Sequence, residues 1–559
     1  MKLTGSDIII ECLLEQGADT VFGYPGGAVL NIYDSLYKYS DKIRHIITSH
    51  EQGACHAADG FARATGKTGV VIATSGPGAT NLTTGLATAY MDSIPLVAIT
   101  GNVACNLLGL DSFQEVDITG VTIPITKHNF IVKNVEELAD TLRLAFQIAG
   151  SGRKGPVLVD IPKDITAAMC EYTPKTPSEM SIEQPENDLG KIVELIKNSE
   201  RPYIYAGGGV ISSDAEEELK RFAELCDAPV SCSLMGQGAF DQRDRRYIGM
   251  LGMHGTVKAA AALNACDLFI GIGTRFSDRV IGDPAVFGKN AKIIHIDIDP
   301  AEFNKNVEAY TAVLGDVKEI LSKLCGLISQ KKNAWTEEMI VKDFGEPVLK
   351  GTDEFPVTPQ AVIEKLDELT EGKAVIATEV GQNQMWAAQY YHYRNPRSFI
   401  SSGGLGTMGF GLGAAIGAKV GCPDKTVINI AGDGSFAMNL NELITASAHN
   451  IPIIEIVINN QVLGMVRQWQ RLFYEKHFSQ TTLDNRHIDY VKLGESFNIQ
   501  TFVIAKNEDI EPVLKKALEI SKTAPCMIEV RIDRDINVLP MIPAGKPVVN
   551  PITEIDLEA

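Results

Sequence analysis

The sequence has few features that would bind a metal through sulfur or a nucleic acid through charge. Its ten cysteines are scattered, with no CxxC pair and no His-rich companion, which argues against a zinc site and indicates a reduced, cytosolic protein. Basic residues are scarce, because 51 Lys and Arg against 70 Asp and Glu give a net charge of −19. An acidic chain without a stripe of Lys and Arg is a poor candidate for binding nucleic acid.

Long apolar runs are scarce as well. One uncharged stretch, 398–418, is long enough to span a bilayer, but it contains seven glycines and is better interpreted as the buried, closely packed start of a helix. We therefore expect no membrane contact. The first residues, MKLTGSDIIIECLLEQ, predict an amphipathic helix with no signal or transit segment, so we expect a cytoplasmic protein.

The remaining composition is that of a large globular protein. A hydrophobic share of 45% and a charged share of 22% exclude a largely disordered chain. At about 150 residues per domain, 559 residues predict three or four domains.

Short apolar strands alternate with helical patterns along the whole chain. Continuously apolar strands separated by helices predict parallel sheets covered on both faces. Polar, Pro-containing stretches at 171–188 and 330–359 break the series twice. We therefore predict an α/β protein of three doubly wound parallel-sheet domains, spanning 1–168, 186–328 and 356–545. The predicted strands are 68–76, 93–101, 155–162, 201–209, 266–273, 292–299, 373–381, 426–434 and 451–460.

The strongest chemical signal is a GDG turn followed by NN at the end of the next strand, after 24 intervening residues. A right-handed crossover brings both strand ends to one sheet edge, so Asp433 and Asn460 can meet there. One carboxylate with neutral oxygens suits Mg²⁺, which keeps its other positions for water and phosphate. Gly432 and Gly434 allow a close backbone approach. The N–H groups of Gly434 and Ser435 can then receive a diphosphate.

Longer motifs extend this pattern over the chain, and with GDG and NN they identify a family resemblance. The chain resembles the catalytic large subunits of the acetohydroxyacid synthase family, also called acetolactate synthases, among the thiamin-diphosphate enzymes. The resemblance names the three domains, in order, as pyrimidine-binding, central FAD-binding and diphosphate-binding. The motifs are GYPGGAVL (23–30), EQGACHAADGFARATGK (51–67), TSGPGATN (74–81), DSFQEVD (111–117), GRKGPVLVDIPKD (152–164), RFSDRV (275–280), GQNQMWAAQ (381–389) and NNQVLGMVRQWQRLFY (459–474).

The resemblance implies roles for residues that spacing alone would not single out. Glu51 would hydrogen-bond the aminopyrimidine ring of thiamin diphosphate and promote its imino tautomer, and Met408 would prop the cofactor in its bent conformation. The family usually has His where Asn383 stands; Asn donates a hydrogen bond but carries no titratable charge. The implied magnesium ligands are Asp433, Asn460 and Val462. The implied residues for thiamin diphosphate are Glu51, Gly381, Gln382, Asn383, Met408, Gly432, Asp433, Gly434, Ser435, Asn460 and Met465, and those lining the catalytic channel are Gly27, Gln114 and Lys127.

The central domain lacks the third glycine of a dinucleotide fingerprint, since GIGTRF is not GxGxxG. The resemblance nevertheless implies FAD in a role without net redox chemistry. Ser277 stands where the family commonly has Asp. The implied FAD residues are Arg153, Gly252, His254, Gly255, Thr256, Gly273, Arg275, Asp278, Asp297, Asp299, Gly315 and Asp316.

The implied reaction decarboxylates pyruvate on thiamin diphosphate and transfers a two-carbon unit to pyruvate or 2-oxobutyrate. The products are 2-acetolactate and 2-aceto-2-hydroxybutyrate, the entry compounds of valine, leucine and isoleucine synthesis. Phe113, Arg279 and Trp469 would contact the second substrate. Two alternatives stay open: an FAD-dependent pyruvate oxidase, and a cofactor-binding paralogue without activity. The family also implies a homodimer with active sites at its interface, and the sequence leaves open a tetramer and a small regulatory subunit.

Overall fold

The computed structural model describes residues 1–177, 180 and 187–555. Three six-stranded sheets, each wholly parallel, follow one another along the chain. Helices cover the sheets, so the predicted architecture of three doubly wound α/β domains is confirmed. The predicted start of the central domain, residue 186, lies outside the described residues.

The first sheet has the strand order β3-β2-β4-β5-β7-β6, and β1 pairs antiparallel with β8 to one side of it. The strands β4, β5 and β7 are buried along their whole length, as continuous apolar runs predict for a sheet covered on both faces. The elements are β1 (Lys2–Thr4), α1 (Gly5–Glu15), β2 (Thr20–Gly23), α2 (Leu30–Lys38), β3 (Arg44–Ile47), α3 (Glu51–Thr65), β4 (Gly69–Ala73), α4 (Pro77–Thr80), α5 (Thr83–Asp92), β5 (Leu96–Asn102), α6 (Ile118–Thr122), β6 (His128–Ile131), α7 (Val135–Gly150), β7 (Pro156–Pro162), α8 (Lys163–Ala167) and β8 (Met169–Glu171).

The central sheet has the order β11-β10-β9-β12-β13-β14, which is the 3-2-1-4-5-6 order of dinucleotide-binding folds. The strands all run parallel, but their order across the sheet reverses between β9 and β12. The elements are α9 (Leu189–Asn198), β9 (Pro202–Ala206), α10 (Gly208–Ser212), α11 (Glu216–Cys226), β10 (Val230–Cys232), β11 (Tyr247–Met250), α12 (Val257–Ala265), β12 (Leu268–Ile272), α13 (Asp278–Ile281), β13 (Lys292–Asp297), β14 (Thr311–Leu314), α14 (Val317–Leu327) and α15 (Ala334–Val341).

The third sheet, β16-β15-β17-β18-β20-β19, repeats the topology of the first. In each of these sheets the strand order reverses beside the sheet's own first strand in the chain. The two domains therefore place their ligand-binding edges in the same way. The elements are α16 (Pro359–Thr370), β15 (Val375–Thr378), α17 (Gln382–Tyr390), β16 (Phe399–Ile400), α18 (Gly411–Gly421), β17 (Val427–Gly432), α19 (Asp433–Asn439), α20 (Leu443–Ala448), β18 (Ile454–Asn459), α21 (Gly464–Phe473), α22 (Tyr490–Ser496), β19 (Gln500–Ile504), α23 (Ile510–Ile520) and β20 (Cys526–Arg531).

Two glycine-containing helices, α3 and α18, join the first and third domains. A Cβ on Gly60 would lie 2.1 Å from the Ala414 carbonyl oxygen, and one on Gly417 would lie 1.8 Å from that of Ala57. Only glycine permits so close an approach of two helix backbones. The uncharged stretch at 398–418 is therefore explained by helix packing. Across the described ranges, no helix has the length and apolar character needed to cross a bilayer.

Candidate active site

The metal motif lies where two neighbouring strands of the third sheet end. β17 and β18 are parallel, with Gly432 opposite Ile458, so the residues that follow them meet at one edge. Asp433 begins α19 directly after β17, and Asn460 follows β18. The crossover expected from the sequence is therefore present, and it brings the two proposed magnesium ligands to the same edge.

Gln382 and Asn383, at the start of α17, reach this edge from the strand β15. Asn460 donates from Nδ2 to Gln382 Oε1 over 3.3 Å, and the Asn460 Oδ1 accepts from the Val462 N–H over 3.2 Å. Asn383 uses its Nδ2 to bond the backbone oxygens of Glu379 and Ile430, at 2.9 and 2.7 Å. Gln382, Asn460 and the Val462 N–H are thus joined by hydrogen bonds, whereas the buried Asn383 bonds separate backbone oxygens at the same sheet edge.

Glycines at this edge of the sheet allow neighbouring side chains to approach the backbone closely. A Cβ on Gly432 would lie 3.3 Å from Asn383 Oδ1, and a Cβ on Gly464 would lie 2.0 Å from Gln382 Oε1. Gly381 has a φ of +153°, which favours glycine. The Gly434 N–H is donated to Asp433 Oδ1, at 3.0 Å, and Ser435 Oγ donates to the Gly432 carbonyl, at 3.1 Å.

Asp433 is a buried carboxylate with no basic side chain paired to it in the described residues. Its side chain is in a residue only 7% exposed, and among the described residues no Lys or Arg forms an ion pair with it. Burial raises the pKa of Asp433 to about 7, although N–H groups including that of Gly434 oppose the shift. A magnesium ion would compensate this charge, so the donor set fits the metal. The described residues contain no group of three or more His, Cys, Asp or Glu side chains that could hold a metal ion. A magnesium site built from one carboxylate, one amide and one backbone carbonyl does not need such a group.

Glu379 follows β15 and binds the backbone at the start of α18. The sequence did not predict a role for it. Its carboxylate accepts the N–H groups of Gly409 at 2.6 Å, Gly411 at 2.9 Å and Leu412 at 3.3 Å. Burial raises the pKa of Glu379 to about 7, against the effect of these N–H donors. Because it holds the start of α18, Glu379 also fixes the segment that carries the half-buried Met408. The only signal in the sequence was an acidic residue at the end of a strand.

Glu51 lies in the first domain, where it begins α3 after the N-cap residue His50. Its Oε2 accepts a hydrogen bond of 2.9 Å from Asn81 Nδ2. A Cβ on Gly78 would come within 3.1 Å of Glu51 Oε1, so the glycine keeps space beside this oxygen. Glu51 is only half-buried, and its second oxygen is therefore accessible to a ligand.

The channel residues are not all beside Glu51. Gln114 has a positive φ of 58°, and a Cβ on Gly76 would touch its backbone oxygen at 2.9 Å, so Gln114 lies against the turn that precedes Gly78. Phe113 is 88% exposed, and Gly27 faces open space. Lys127 instead donates from Nζ to the carbonyls of Ile148 and Ser151, the latter at 2.7 Å. Burial lowers the pKa of Lys127 to about 8.

The Glu51 set and the Asp433 set belong to different sheet edges of the chain. The Glu51 carboxylate bonds Asn81 of its own domain, whereas Asp433, Asn460 and Gln382 bond residues of the third domain. In the part of the chain that the structure describes, no hydrogen bond or ion pair joins the two sets. The two sets of predicted residues therefore lie on separate domains of the chain.

The central domain has a glycine-lined cradle at its topological switch point, between β9 and β12. Gly207 and Gly209 follow β9, and Gly273 follows β12 with a φ of +56°. A Cβ on Gly207 would lie 2.1 Å from the Gly273 oxygen, and one on Gly209 would lie 2.6 Å from the Gly273 Cα. Dinucleotides bind at such switch points. Gly207 and Gly209 were not among the predicted FAD residues, because the three adjacent glycines fit no spaced fingerprint.

Several predicted FAD residues surround this cradle. Arg153 bonds Asp299 Oδ2 at 3.1 Å and Glu302 Oε1 at 2.7 Å. Burial raises the pKa of Asp297 to about 6 and lowers that of His254 to about 4. Glu302 Oε2 and His295 Nδ1 are buried without a hydrogen-bond partner in the described ranges, which leaves polar capacity for a ligand. These features fit a flavin dinucleotide.

The other predicted FAD residues hold backbone turns or join domains. Gly252 has a φ of +144°, and Gly255 N–H bonds the Gly252 carbonyl. Thr256 caps α12 and Asp316 caps α14. The remaining three are Gly315, whose N–H bonds the Asp297 carbonyl at 3.0 Å, Arg275, which bonds the Met91 carbonyl, and the exposed Asp278, which begins α13 next to Ser277.

The predicted acceptor residues lie on two domains. Trp469 is half-buried on α21 and packs against Phe473, with ring centroids 5.1 Å apart. Met465 lies one turn earlier on the same helix and packs into the core of the third domain. Arg279, on α13 of the central domain, has a side chain that is 61% exposed. Its Nε lies 3.7 Å from Asp278 Oδ2 in an exposed ion pair, which an anionic ligand could replace.

Comparison with protein families gives a match for each domain. The N-terminal TPP binding domain of thiamine pyrophosphate enzymes matches residues 3–121. The central domain of these enzymes matches 189–324, and their C-terminal TPP binding domain matches 379–530. The three matches run in the same order as the three sheets.

Similar proteins align over nearly the whole chain. A probable acetolactate synthase large subunit from Methanocaldococcus jannaschii is 46% identical, over 100% of this chain and 96% of its own length. An acetolactate synthase large subunit from Corynebacterium glutamicum is 47% identical over 97% of this chain and 89% of its own. The chloroplastic acetolactate synthase 2 of Nicotiana tabacum is 44% identical over 99% and 85%.

Proposed function

The chain belongs to the acetolactate synthase large-subunit family of thiamine pyrophosphate enzymes, and we propose that it condenses pyruvate with a second 2-oxo acid. Pyruvate loses CO₂, and its remaining two carbons join pyruvate to give 2-acetolactate or 2-oxobutyrate to give 2-aceto-2-hydroxybutyrate. Near-full-length identity of 46% to an acetolactate synthase large subunit supports this reaction. The observation that carries it is the buried Asp433–Asn460 pair at one sheet edge.

Thiamin diphosphate, when bound, supplies the electron sink that decarboxylation of a 2-oxo acid requires. Asp433, Asn460 and the Val462 carbonyl would hold Mg²⁺, and Gln382 and Asn383 would contact the diphosphate. The lack of a charged partner for Asp433 supports a cation there. Asn383 would act only as a neutral donor.

Glu51 would hold a proton on its carboxyl group against the aminopyrimidine ring. Asn81 orients this carboxyl group by bonding Oε2, which supports a fixed direction for the proton on the other oxygen. Proton transfer by a positioned side chain is worth about 10² to 10⁴ in rate. Arg279 would pair with the carboxylate of the second substrate through its planar guanidinium, and Trp469 would contact the extra methyl group of 2-oxobutyrate.

FAD would be held at the central switch point without net electron transfer, because joining the two oxo acids consumes no electrons. Gly207 and Gly209 pack closely against Gly273, which brings the loops after β9 and β12 together at the switch point where dinucleotides bind. A pyruvate oxidase would bind the same flavin but reduce it in each turnover. The deciding experiment incubates the protein with pyruvate, Mg²⁺ and thiamin diphosphate. We expect acetoin after acidification and no matching oxygen uptake; stoichiometric oxygen uptake would overturn the proposal in favour of the oxidase.

The active enzyme would be at least a homodimer in which Glu51 of one copy faces Asp433 of another. The family resemblance supports this arrangement, and in the described residues the Glu51 and Asp433 carboxyl groups each accept a hydrogen bond from their own domain. Large exposed apolar side chains of the first domain support it further, because exposed apolar surface marks interaction sites. They are Leu110 at 65%, Phe113 at 88% and Ile123 at 67% exposed.

Mixing two inactive variants tests the shared site. Glu51→Gln and Asp433→Ala homodimers should each be inactive, but a mixed dimer contains one site with both residues intact. Random reassociation of equal amounts should therefore restore about a quarter of the wild-type activity, since half the dimers are mixed and each has one good site of two. No recovery after subunit exchange, shown by mixed dimers on native mass spectrometry, would contradict the shared site.

Two further properties complete the proposal. The relatives from Methanocaldococcus jannaschii and Corynebacterium glutamicum are named large subunits, which supports a small regulatory subunit as a partner. The acidic composition and unpaired cysteines support a cytoplasmic location. Copurification with a tagged chain would test the first, and fractionation of the cells would test the second.

A further inference from the structure

The segment after β20 crosses from the third domain to the central domain, and we name residues 532–548 the C-terminal strap. It makes contacts in chain order. The carbonyl of Ile536 accepts from Gln382 Nε2 at 3.2 Å, and that of Leu539 accepts from Gln389 Nε2 at 3.1 Å. Farther on, the Ile542 N–H bonds the Met253 carbonyl at 2.8 Å. The strap therefore touches the proposed diphosphate site first and the proposed flavin site last.

Gln468 is the main attachment of the strap to the third domain. Its Oε1 accepts the Val538 N–H at 2.9 Å, and its Nε2 donates to the Val538 carbonyl at 3.0 Å. The same Oε1 accepts from Gln382 Nε2 at 3.1 Å. Gln468 is 1% exposed, so these bonds are shielded from water and their loss would not be made good by solvent.

Gln468 is also the residue directly before Trp469 on α21. Its amide bonds Val538 as a strand neighbour would, which fixes the rotation of α21 relative to the strap. Gln382, which bonds Gln468, in turn accepts from the proposed magnesium ligand Asn460. Gln468 therefore connects the metal turn, the helix of Trp469 and the strap.

The far end of the same strap holds Arg279. Met253, which accepts the Ile542 N–H, donates its own N–H to the Arg279 carbonyl at 2.7 Å. Ile542 and Pro543 line one small cavity together with Asp278 and Arg279. The strap therefore contacts the turn that carries this guanidinium.

The connection between the two ends is short and stiff. The segment from Val538, which bonds Gln468, to Ile542, which bonds Met253, is five residues long. Such a segment spans at most about 17 Å when fully extended. Pro540 lies within it and fixes one φ angle. A rotation of α21 at Gln468 would therefore be transmitted to the turn at Met253 and Arg279.

We propose that Gln468 is a positioning residue that holds Trp469 and Arg279 in a fixed relative position through the C-terminal strap. It thereby determines which 2-oxo acid is accepted as second substrate. This inference rests on the proposed function, because both residues are assigned there to the acceptor. The side chain of Gln468 bonds Gln382 and the strap. Its effect comes from holding two surfaces of different domains at a fixed separation.

The test uses Gln468→Met in the full-length protein, which keeps the side-chain length but removes the four hydrogen bonds of the amide, to Gln382, to the Val538 N–H and carbonyl and to the Met541 sulfur. The matched control is Gln470→Met, on the other side of Trp469. Gln470 bonds Ser479 and Thr481 instead of the strap. Gln468→Glu is the second variant, because it keeps an acceptor for the Val538 N–H and loses only the donor.

The first readout is amide hydrogen exchange, which needs no activity. We expect faster exchange at Val538 and Ile542 in Gln468→Met, a smaller increase in Gln468→Glu and none in Gln470→Met. Unchanged exchange in a folded Gln468→Met protein would overturn the inference. Global unfolding of Gln468→Met would be recognised by exchange in all three sheets, and Gln468→Glu then decides.

The second readout is the product ratio from pyruvate and 2-oxobutyrate in competition. A pocket that distinguishes one methylene gives about tenfold preference or more, and we expect Gln468→Met to lose at least about threefold of it. Gln468→Met and Gln470→Met are compared at saturating thiamin diphosphate, because Gln468 bonds Gln382, which is assigned to the diphosphate. A wild-type ratio in Gln468→Met, or an equal change in Gln470→Met, would overturn the inference. Absence of acetolactate from the wild-type protein would instead refute the proposed function and leave the exchange result to stand alone.

Discussion

Asn81 donates a hydrogen bond of 2.9 Å to Oε2 of Glu51, and this bond fixes the carboxyl group at the start of α3. We expect Glu51→Gln to keep the fold and the cofactor affinity but to lose at least about 10²-fold in rate, because an amide cannot transfer the proton. Exchange of the C2 proton of thiamin diphosphate, followed by NMR, should slow in parallel.

Asn81→Ala provides the graded comparison for Glu51. It leaves the carboxyl group in place but removes its orientation, so the rate should fall less than in Glu51→Gln. C2 exchange at the wild-type rate in Glu51→Gln would remove the proton-holding role from this residue.

Asp433→Ala tests the metal turn. It removes the only charged ligand proposed for Mg²⁺, so the affinity for thiamin diphosphate should collapse. FAD should remain bound, since its cradle lies in another domain. Asp424→Ala, at an exposed position before β17, is the matched control and should bind both cofactors normally. Calorimetric titration measures both affinities, and unaltered binding of thiamin diphosphate to Asp433→Ala would refute the metal assignment.

Trp469→Leu and Arg279→Ala separate the two parts of acceptor recognition. Trp469→Leu should erode a preference for 2-oxobutyrate that is worth about 1–3 kcal/mol for one methylene, while pyruvate decarboxylation stays largely intact. Arg279→Ala should weaken capture of either acceptor and release more acetaldehyde. Competition assays with both oxo acids measure the ratio. A wild-type ratio in Trp469→Leu would exclude it from the specificity pocket.

Glu455 predicts a pH-dependent stability. It is 1% exposed on β18, and Asn429 Nδ2 lies 2.9 Å from each of its carboxyl oxygens. Burial raises the pKa of Glu455 well above its ordinary value of 4.5, and Glu379 nearby adds to the shift. The folded state therefore retains a proton that the unfolded state releases, so stability falls as pH rises above the unfolded pKa and stops falling above the folded one.

Glu455→Gln removes this titration and should be stabilising at neutral pH. Within the window, each pH unit costs the wild type about 1.4 kcal/mol relative to the variant. The difference between their apparent thermal midpoints should therefore widen from pH 5 to pH 8. Glu519→Gln, on the exposed face of α23, is the control. A constant difference for Glu455→Gln across this range would show that the buried carboxyl group does not titrate there.

The sequence predicted the three sheets and the meeting of Asp433 and Asn460 at one sheet edge, because both depend on short-range patterns. Continuous apolar strands between helices can be buried only in a parallel sheet covered on both faces. A strand crossover also fixes which residues meet at the sheet edge, so Asp433 and Asn460 could be placed together from their positions after two strands. The roles of Glu51, Trp469 and Arg279 came from the family resemblance and remain predictions.

Other features could not be predicted, since they depend on contacts between residues far apart in the chain. Glu379 looked like any acidic residue after a strand until α18 placed three N–H groups on its carboxylate. Gly207 and Gly209 fitted no spaced fingerprint, yet they pack against Gly273 from another strand. Lys127 bonds carbonyls at the end of α7, a partner that its local sequence does not indicate.

The sequence by itself therefore determined the class of fold, the order of the domains and which polar residues meet at one sheet edge. Only the tertiary structure decided which residues hold the Glu51 and Asp433 carboxyl groups, and that the C-terminal strap joins Gln468 to Met253. The physical reason is that periodicity records which face of an element is buried. The partner of a buried polar group depends instead on how whole domains pack, and a single glycine such as Gly60 or Gly417 can set that packing.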